Sequence, residues 1–196
     1  MTTQQAFETI APVFHADDLA VCTLGRTAES AYEHLPLNQV LFLDCMGSVI
    51  GTAIGVAMGV SSTVYAFESD GSFMYSLSIL QTIKENERRL KNLRIIIFDN
   101  CKLESGGGWK SRSIDLSWNL LFTSFGLSCS EIKDYSLFST WLNNESDVVN
   151  IAILQIDNEN ELSLCIKDID GIESKYLVKR FINNTKKGII KPCIKN

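Results

Sequence analysis

An isolated carboxylate, Asp70, lies in Ser69-Asp70-Gly71-Ser72, where the apolar run "STVYAFE" (62–68) gives way to the helical pattern of "SFMYSLSILQTIKENERRL" (72–90). A second polar residue, Asn100, closes the apolar run "NLRIIIFDN" (92–100). If the two runs are neighbouring parallel strands joined by a right-handed crossover, both side chains leave the same edge of the sheet. That edge is where open α/β sheets bind ligands. A helix beginning at Ser72 offers free backbone N–H groups and the positive end of its dipole to an anion. Gly71 lets the backbone approach a phosphate with no Cβ in the way, and Ser72 adds a hydroxyl donor. A carboxylate and an amide oxygen are hard ligands of the kind Mg²⁺ takes when phosphate and water complete its octahedron. The expected chemistry is binding of a Mg²⁺-neutralised diphosphate. Alone, the tetrapeptide reads as an ordinary turn and helix cap. The second anchor at Asn100 turns it into a compound signal.

These residues need a scaffold, and the chain alternates accordingly. Strands are expected at 19–24, 39–44, 62–68, 92–100, 127–132 and 147–157, the last being the final core strand. Helices are expected at 25–35 (after a turn), 46–59, 72–90, 114–126 and 134–145, and a loop at 101–113. Such alternation predicts an α/β fold, a mostly parallel sheet with helices on both faces. The unbroken apolar run Ile95-Ile96-Ile97-Phe98 suits a strand buried on both sides.

At 196 residues the chain is expected to form one domain, spanning 1–196, and its 45% hydrophobic and 21% charged composition is that of a globular protein. A net charge of −5 with scattered basic residues argues against nucleic-acid binding. The basic stretches Lys84–Arg94 and Lys186–Lys195 read as a helix end and a solvated tail. The six cysteines have no CxxC spacing, and Cys22, Cys45 and Cys165 lie in apolar runs. With a polar start, "MTTQQAFETI", this predicts a reducing cytoplasm. Gly47, Gly51, Gly55 and Gly59 recur every fourth residue in an uncharged stretch, like a membrane helix face. The helical part is shorter than the about 20 residues a span requires, so a soluble helix packed close to the sheet is expected instead.

"SDGSF…IIIFDN" resembles the thiamine-diphosphate motif, Gly-Asp-Gly followed at a distance by Asn. "DCMGSVIGTAIGVAMG" resembles the segment that precedes this motif in decarboxylases of the superfamily. "FDNCKLESGGG" is similar to the Asp-Asn-Gly…Ser-Thr-Gly-Gly loop of phosphonopyruvate and sulfopyruvate decarboxylases. The likeness covers most of the chain and points to the diphosphate-binding (C-terminal, or β) subunit of such enzymes, with its three-layer thiamine-diphosphate-binding fold. It implies that Asp70, the Asn100 side chain and the Lys102 carbonyl ligate Mg²⁺. It implies that Gly71 and Ser72 hold diphosphate oxygens, that Gly25, Arg26 and Thr27 also approach the diphosphate, and that Met46 supports the thiazolium ring. Packing in the core is the competing role for Met46.

The sequence departs from the pattern at three points. Ser69 replaces the first glycine, the spacer to Asn100 is slightly long, with "KENERRLKN" expected to absorb the excess on an exposed helix end, and "SGGGW" lacks the threonine. In the family a glutamate from a separate pyrimidine-binding domain activates the cofactor, so no catalytic residue is assigned to this chain. The resemblance implies a pyrimidine-domain partner in an α2β2 heterotetramer, the Gly-rich edge as contact surface, and decarboxylation of a small 2-oxo acid. A carboligase, or a non-catalytic scaffolding homologue, is the alternative. Strand alternation turns Glu68 away from the site. Glu104 is expected to be solvated, His15 and His34 to serve surface or capping roles, and Arg26, Lys110 and Arg112 are candidates to meet an anionic substrate.

Overall fold

The computed structural model describes residues 1–104, 107–111, 115–157 and 170–185. Arg112, Cys165, Cys193 and the basic tail 186–195 lie outside them. Six described strands form one parallel sheet: β1 (Leu19–Thr23), β2 (Val40–Leu43), β3 (Val64–Ser69), β4 (Leu93–Asp99), β7 (Ser130–Ile132) and β8 (Asn150–Gln155). Their spatial order is β2-β1-β3-β4-β8-β7, and every pairing is parallel. From β1 the chain passes to β2 on one side, then returns to place β3 on the other. The switch point therefore lies between the carboxyl ends of β1 and β3, where two successive loops diverge and leave a crevice.

Strand alternation divides the core in two. Val21, Ala66, Ile95 and Ile97 face a layer that includes Ile50 and Ala53 of α3 (Val49–Gly59), Leu80 and Ile83 of α5 (Ile79–Asn86), and Trp118 and Phe122 of α6 (Trp118–Ser124). Cys22, Phe67, Ile96 and Phe98 face Phe7 of α1 (Thr3–Ile10), Ala28 and Ala31 of α2 (Arg26–His34), and Phe138 and Leu142 of α7 (Tyr135–Asn143). Phe7 stacks on Phe98 and packs edge-on against Phe67. The three-layer α/β expectation is borne out.

Several boundaries differ. The helix expected over 72–90 is broken into α4 (Asp70–Phe73), a tight turn at Met74–Ser76, and α5. Ser76 Oγ donates to the Phe73 carbonyl (3.1 Å), a local bond that competes with continued helix. The long spacer is absorbed in a turn after α5, where Arg89 and Leu90 N–H groups return to Asn86 O and Leu90 is buried. The expected loop 101–113 carries an antiparallel pair, β5 (Lys102–Leu103) with β6 (Trp109–Lys110). Cys45 is exposed, not buried like Cys22. The helices α1 and α8 (Gly171–Thr185) were not anticipated. α8 packs along β2, and Ser174 Oγ accepts the Phe42 N–H (3.2 Å), so a remote helix covers the sheet's edge strand. No described helix is long and apolar enough to cross a membrane, and α3 has 11 residues.

Candidate functional site

Three strand ends converge on one cleft. After β1, Gly25 caps α2 with φ +83° and ψ −152°, backbone that a side chain would strain. No side chain caps α2, and Gly25, Arg26 and Thr27 at its start line the cleft. β3 ends at Ser69, with φ −94° and ψ 154°, extended backbone that any residue adopts. The replacement of glycine there is thus free of strain, and Ser69 Oγ accepts the Ser72 N–H (3.3 Å) as the cap of α4. Asp70, 2% exposed, opens α4 at the cleft wall. After β4, Asn100 lines the same cleft. The cleft measures about 110 Å³ and is lined by Gly25, Arg26, Thr27, Met46, Asp70, Gly71, Asn100 and Lys102 among others. Those are the residues named from sequence except Ser72, whose hydroxyl lies beneath the floor and accepts the Gly47 N–H (2.8 Å). Met46 is half exposed rather than packed in the core.

Asn100 is aimed by its neighbours. Its Oδ1 accepts the Lys102 N–H (2.9 Å) in a tight turn around Cys101, whose φ of 56° is left-handed. Buried Asp99 holds that turn: Oδ1 accepts the Cys101 N–H (3.0 Å) and Oδ2 accepts Trp118 Nε1–H (2.7 Å). The indole of α6 thus sets the direction in which β4 delivers Asn100. Trp118→Phe removes this bond from a buried carboxylate and should lower stability by about 1–3 kcal/mol, read by urea unfolding. An unchanged midpoint would show that Asp99 does not depend on the indole.

One of the two glutamates near the cleft departs from expectation. Glu104 is not simply solvated. Its Oε2 accepts Arg26 Nε–H (2.7 Å) and its Oε1 accepts Asn100 Nδ2–H (2.9 Å). Glu68 does not line the cleft and is fully buried. Its Oε1 accepts the Ser69 N–H (3.2 Å), and Oε2 has no partner in bonding geometry among the described residues. Burial raises its pKa to about 7, partly offset by the nearby Ser72 and Thr23 hydroxyls and the Ser69 N–H. Glu68 in turn helps burial push the Cys22 thiol up. Period-2 alternation marked the face of β3 that Glu68 occupies. It could not tell that α4 folds back over that face.

The donor set suits a Mg²⁺-bound diphosphate. A Cβ on Gly71 would fall 2.6 Å from Cδ2 of the exposed Leu103 side chain, which would have to move to admit it. The Glu104 carboxylate shows that Arg26 and Asn100 can share an anion. Among the described residues no three His, Cys, Asp or Glu side chains group as a metal cage. A carboxylate and an amide oxygen still suffice for Mg²⁺, which usually keeps several waters and takes phosphate oxygens.

Residues 23–118 match the family described as thiamine pyrophosphate enzyme, C-terminal TPP binding domain. The fold is similar to that of a solved protein from Mycobacterium smegmatis described as a thiamin diphosphate-dependent enzyme, with a TM-score of 0.61 and 19% identity. The match covers 80% of this chain and 32% of that one, so the chain spans about a third of that protein's length. No curated protein matches the sequence.

Proposed function

We propose, from the match of residues 23–118 to the C-terminal TPP binding domain of thiamine pyrophosphate enzymes, that this chain is the diphosphate-binding subunit of a two-subunit, Mg²⁺-dependent 2-oxo-acid decarboxylase. The observation that carries the reading is the convergence of the loops after β1, β3 and β4 on a single cleft at the switch point. In it, Asp70, Asn100 and the Lys102 carbonyl hold Mg²⁺. The α2 N-terminus with Gly25, Arg26 and Thr27, and the turn Gly71-Ser72, hold the diphosphate. Ser72 does so through its place in the α4 turn, which Gly47 N–H and Ser69 Oγ fix from below and behind. Met46 supports the ring that carries the reactive carbon. When bound, thiamine diphosphate supplies a nucleophilic carbon and an electron sink for a substrate's departing carboxylate.

The chain's own part is to bind, neutralise and orient. Neither glutamate near the cleft is placed to activate the cofactor: Glu68 is sealed beneath the floor, and Glu104 is held by Arg26 and Asn100. This favours a pyrimidine-domain partner that supplies the activating glutamate, in an α2β2 assembly. Phosphonopyruvate or sulfopyruvate fits the loop resemblance as substrate.

Native mass spectrometry of the tagged protein from its own cells, with Mg²⁺ and thiamine diphosphate present, tests the proposal. A complex with a second chain of similar size plus cofactor is the expected result. A lone homo-oligomer without cofactor would favour the scaffolding reading. Product analysis of the complex then separates an aldehyde, from decarboxylation, from a hydroxyketone, from carboligation.

A further inference from the structure

A cation can use Asn100 only through its amide oxygen, and a side-chain amide carries its oxygen and its NH₂ group on one flat fork. Presented one way, the fork offers Mg²⁺ an acceptor; turned over, it offers two N–H donors. The bonds of Asp99 fix the backbone turn at Cys101, but not which end of the amide leads. Two other bonds decide that. Oδ1 accepts the Lys102 N–H (2.9 Å), and Nδ2–H donates to Glu104 Oε1 (2.9 Å). Turning the amide over would set donor against donor at Lys102 and acceptor against acceptor at Glu104. The oxygen is thereby held as the ligand end, and an amide oxygen has a second lone pair beyond the Lys102 bond.

We propose that Glu104 is a positioning residue for the metal: it fixes the Asn100 amide so that the oxygen, not the NH₂ group, is available to Mg²⁺. The proposal rests on the reading of Asp70, Asn100 and the Lys102 carbonyl as the Mg²⁺ ligands.

Three features suit Glu104 to this role. Its chemistry is one-sided: a carboxylate only accepts, so it tolerates only the NH₂ end of the amide. Water in its place would both donate and accept, would satisfy either end, and would leave the choice to the Lys102 bond alone. The carboxylate is itself held, because Oε2 accepts Arg26 Nε–H (2.7 Å) while Oε1 serves Asn100. Bonds between charged groups are roughly twice as strong as neutral ones, and side-chain exposures of 24% for Arg26 and 35% for Glu104 keep the pair partly out of water. Finally, the bridge joins two of the converging loops. Arg26 opens α2 after β1 and Asn100 follows β4, and all three residues line the cleft. Glu104 thus acts through Asn100 and is not itself a ligand. The role is static: Lys102 stays in place, with its N–H on Asn100 Oδ1 and its carbonyl left to the metal.

The test compares the full chain with its Glu104→Ala and Glu104→Gln variants. Calorimetric titration with Mg²⁺ at a fixed excess of thiamine diphosphate reads the metal midpoint. Glu104→Ala removes the acceptor and should raise that midpoint about 10–100-fold, the usual cost of losing a group that orients a metal ligand. Glu104→Gln keeps a carbonyl oxygen within reach of Asn100 Nδ2 and should recover most of the loss, a rescue that a merely structural use of the charge would not give. Nitrogen-15 NMR of the ligand-free proteins reads the bond itself. The Asn100 NH₂ protons should be protected from solvent exchange in the wild type and in Glu104→Gln, and unprotected in Glu104→Ala. An unchanged Mg²⁺ midpoint in Glu104→Ala would overturn the positioning role while leaving the metal site standing. Glu104→Gln as impaired as Glu104→Ala, or equal exchange in wild type and Glu104→Ala, would overturn it as well. Failure of the wild type to bind Mg²⁺ and thiamine diphosphate would remove the metal reading of the cleft, and the positioning role with it.

Discussion

Asp70→Ala is expected to lower Mg²⁺-dependent affinity for thiamine diphosphate more than about 100-fold, since loss even of groups that only support a metal ligand commonly costs 10–100-fold. Asp70 is the one carboxylate among the proposed metal ligands; Asn100 and the Lys102 carbonyl are neutral oxygens. Its loss leaves Mg²⁺ with no protein charge to balance it, and the diphosphate then faces the α2 and α4 N–H groups without its counter-ion. Burial of Asp70, only 2% exposed, keeps bulk water from substituting fully. Calorimetry with and without Mg²⁺ reads the effect. A thermal melt gives the same answer independently: ligand at about 100 times Kd stabilises the native state by about 2.7 kcal/mol, and the variant should lose that gain. Asp70→Asn, which preserves shape, controls for folding. Full retention of Mg²⁺-dependent affinity in Asp70→Ala would reject this cleft as the metal site.

Glu68→Gln should flatten the dependence of stability on pH. The folded carboxyl titrates at about 7 against an ordinary value of 4.5, because burial disfavours its charged form. Below about pH 4.5 the group is protonated both folded and unfolded and its burial carries no ionisation penalty. Between 4.5 and 7 the native state holds a proton that the unfolded chain has released, so stability falls as pH rises. Above 7 the carboxylate is charged in both states and the full penalty is present, about 3 kcal/mol at 1.36 kcal/mol per pH unit. Glutamine cannot ionise. The variant should therefore match the wild type at the acid end and exceed it by up to about 3 kcal/mol above pH 7, less whatever its amide loses if one N–H finds no acceptor. Urea midpoints measured from pH 5 to 8 decide it. Parallel curves for the two proteins would show that Glu68 is not the titrating group.

The two experiments bear on one small region for opposite reasons. Asp70 is placed where charge can be neutralised by a ligand, and Glu68, two positions earlier and still in β3, where no described charge neutralises it. The Glu68 carboxyl anchors the Ser69 N–H, and Ser69 caps the turn that carries Asp70. Stability given up beneath the cleft thus accompanies a fixed backbone at its floor, a pattern common where a site must be rigid.

Much of this protein is written locally in its chain. Unbroken apolar runs such as Leu19–Cys22 and Ile95–Phe98 announce parallel strands because a strand buried on both faces must be apolar at successive positions. Asp70 and Asn100 announce a site because polar residues at strand ends, followed by glycine-bearing turns, fall on one edge of such a sheet whatever the details of packing. The alternation located the sheet, and the strand-end motifs located the cleft, since both depend on spacings within a few residues. Other properties arise only when remote segments meet. The burial of Glu68 needs α4 to fold over β3, the aim of Asn100 needs Trp118 to reach Asp99, and the pairing of Arg26 needs Glu104, 78 positions away, to reach it. Likewise α8 finds β2 across most of the chain through a single serine and a row of apolar contacts. Periodicity carries no information about which distant partner a side chain will find. That is decided by how the layers pack, and here the packing set both the burial of the carboxyl beneath the site and the partners of its arginine.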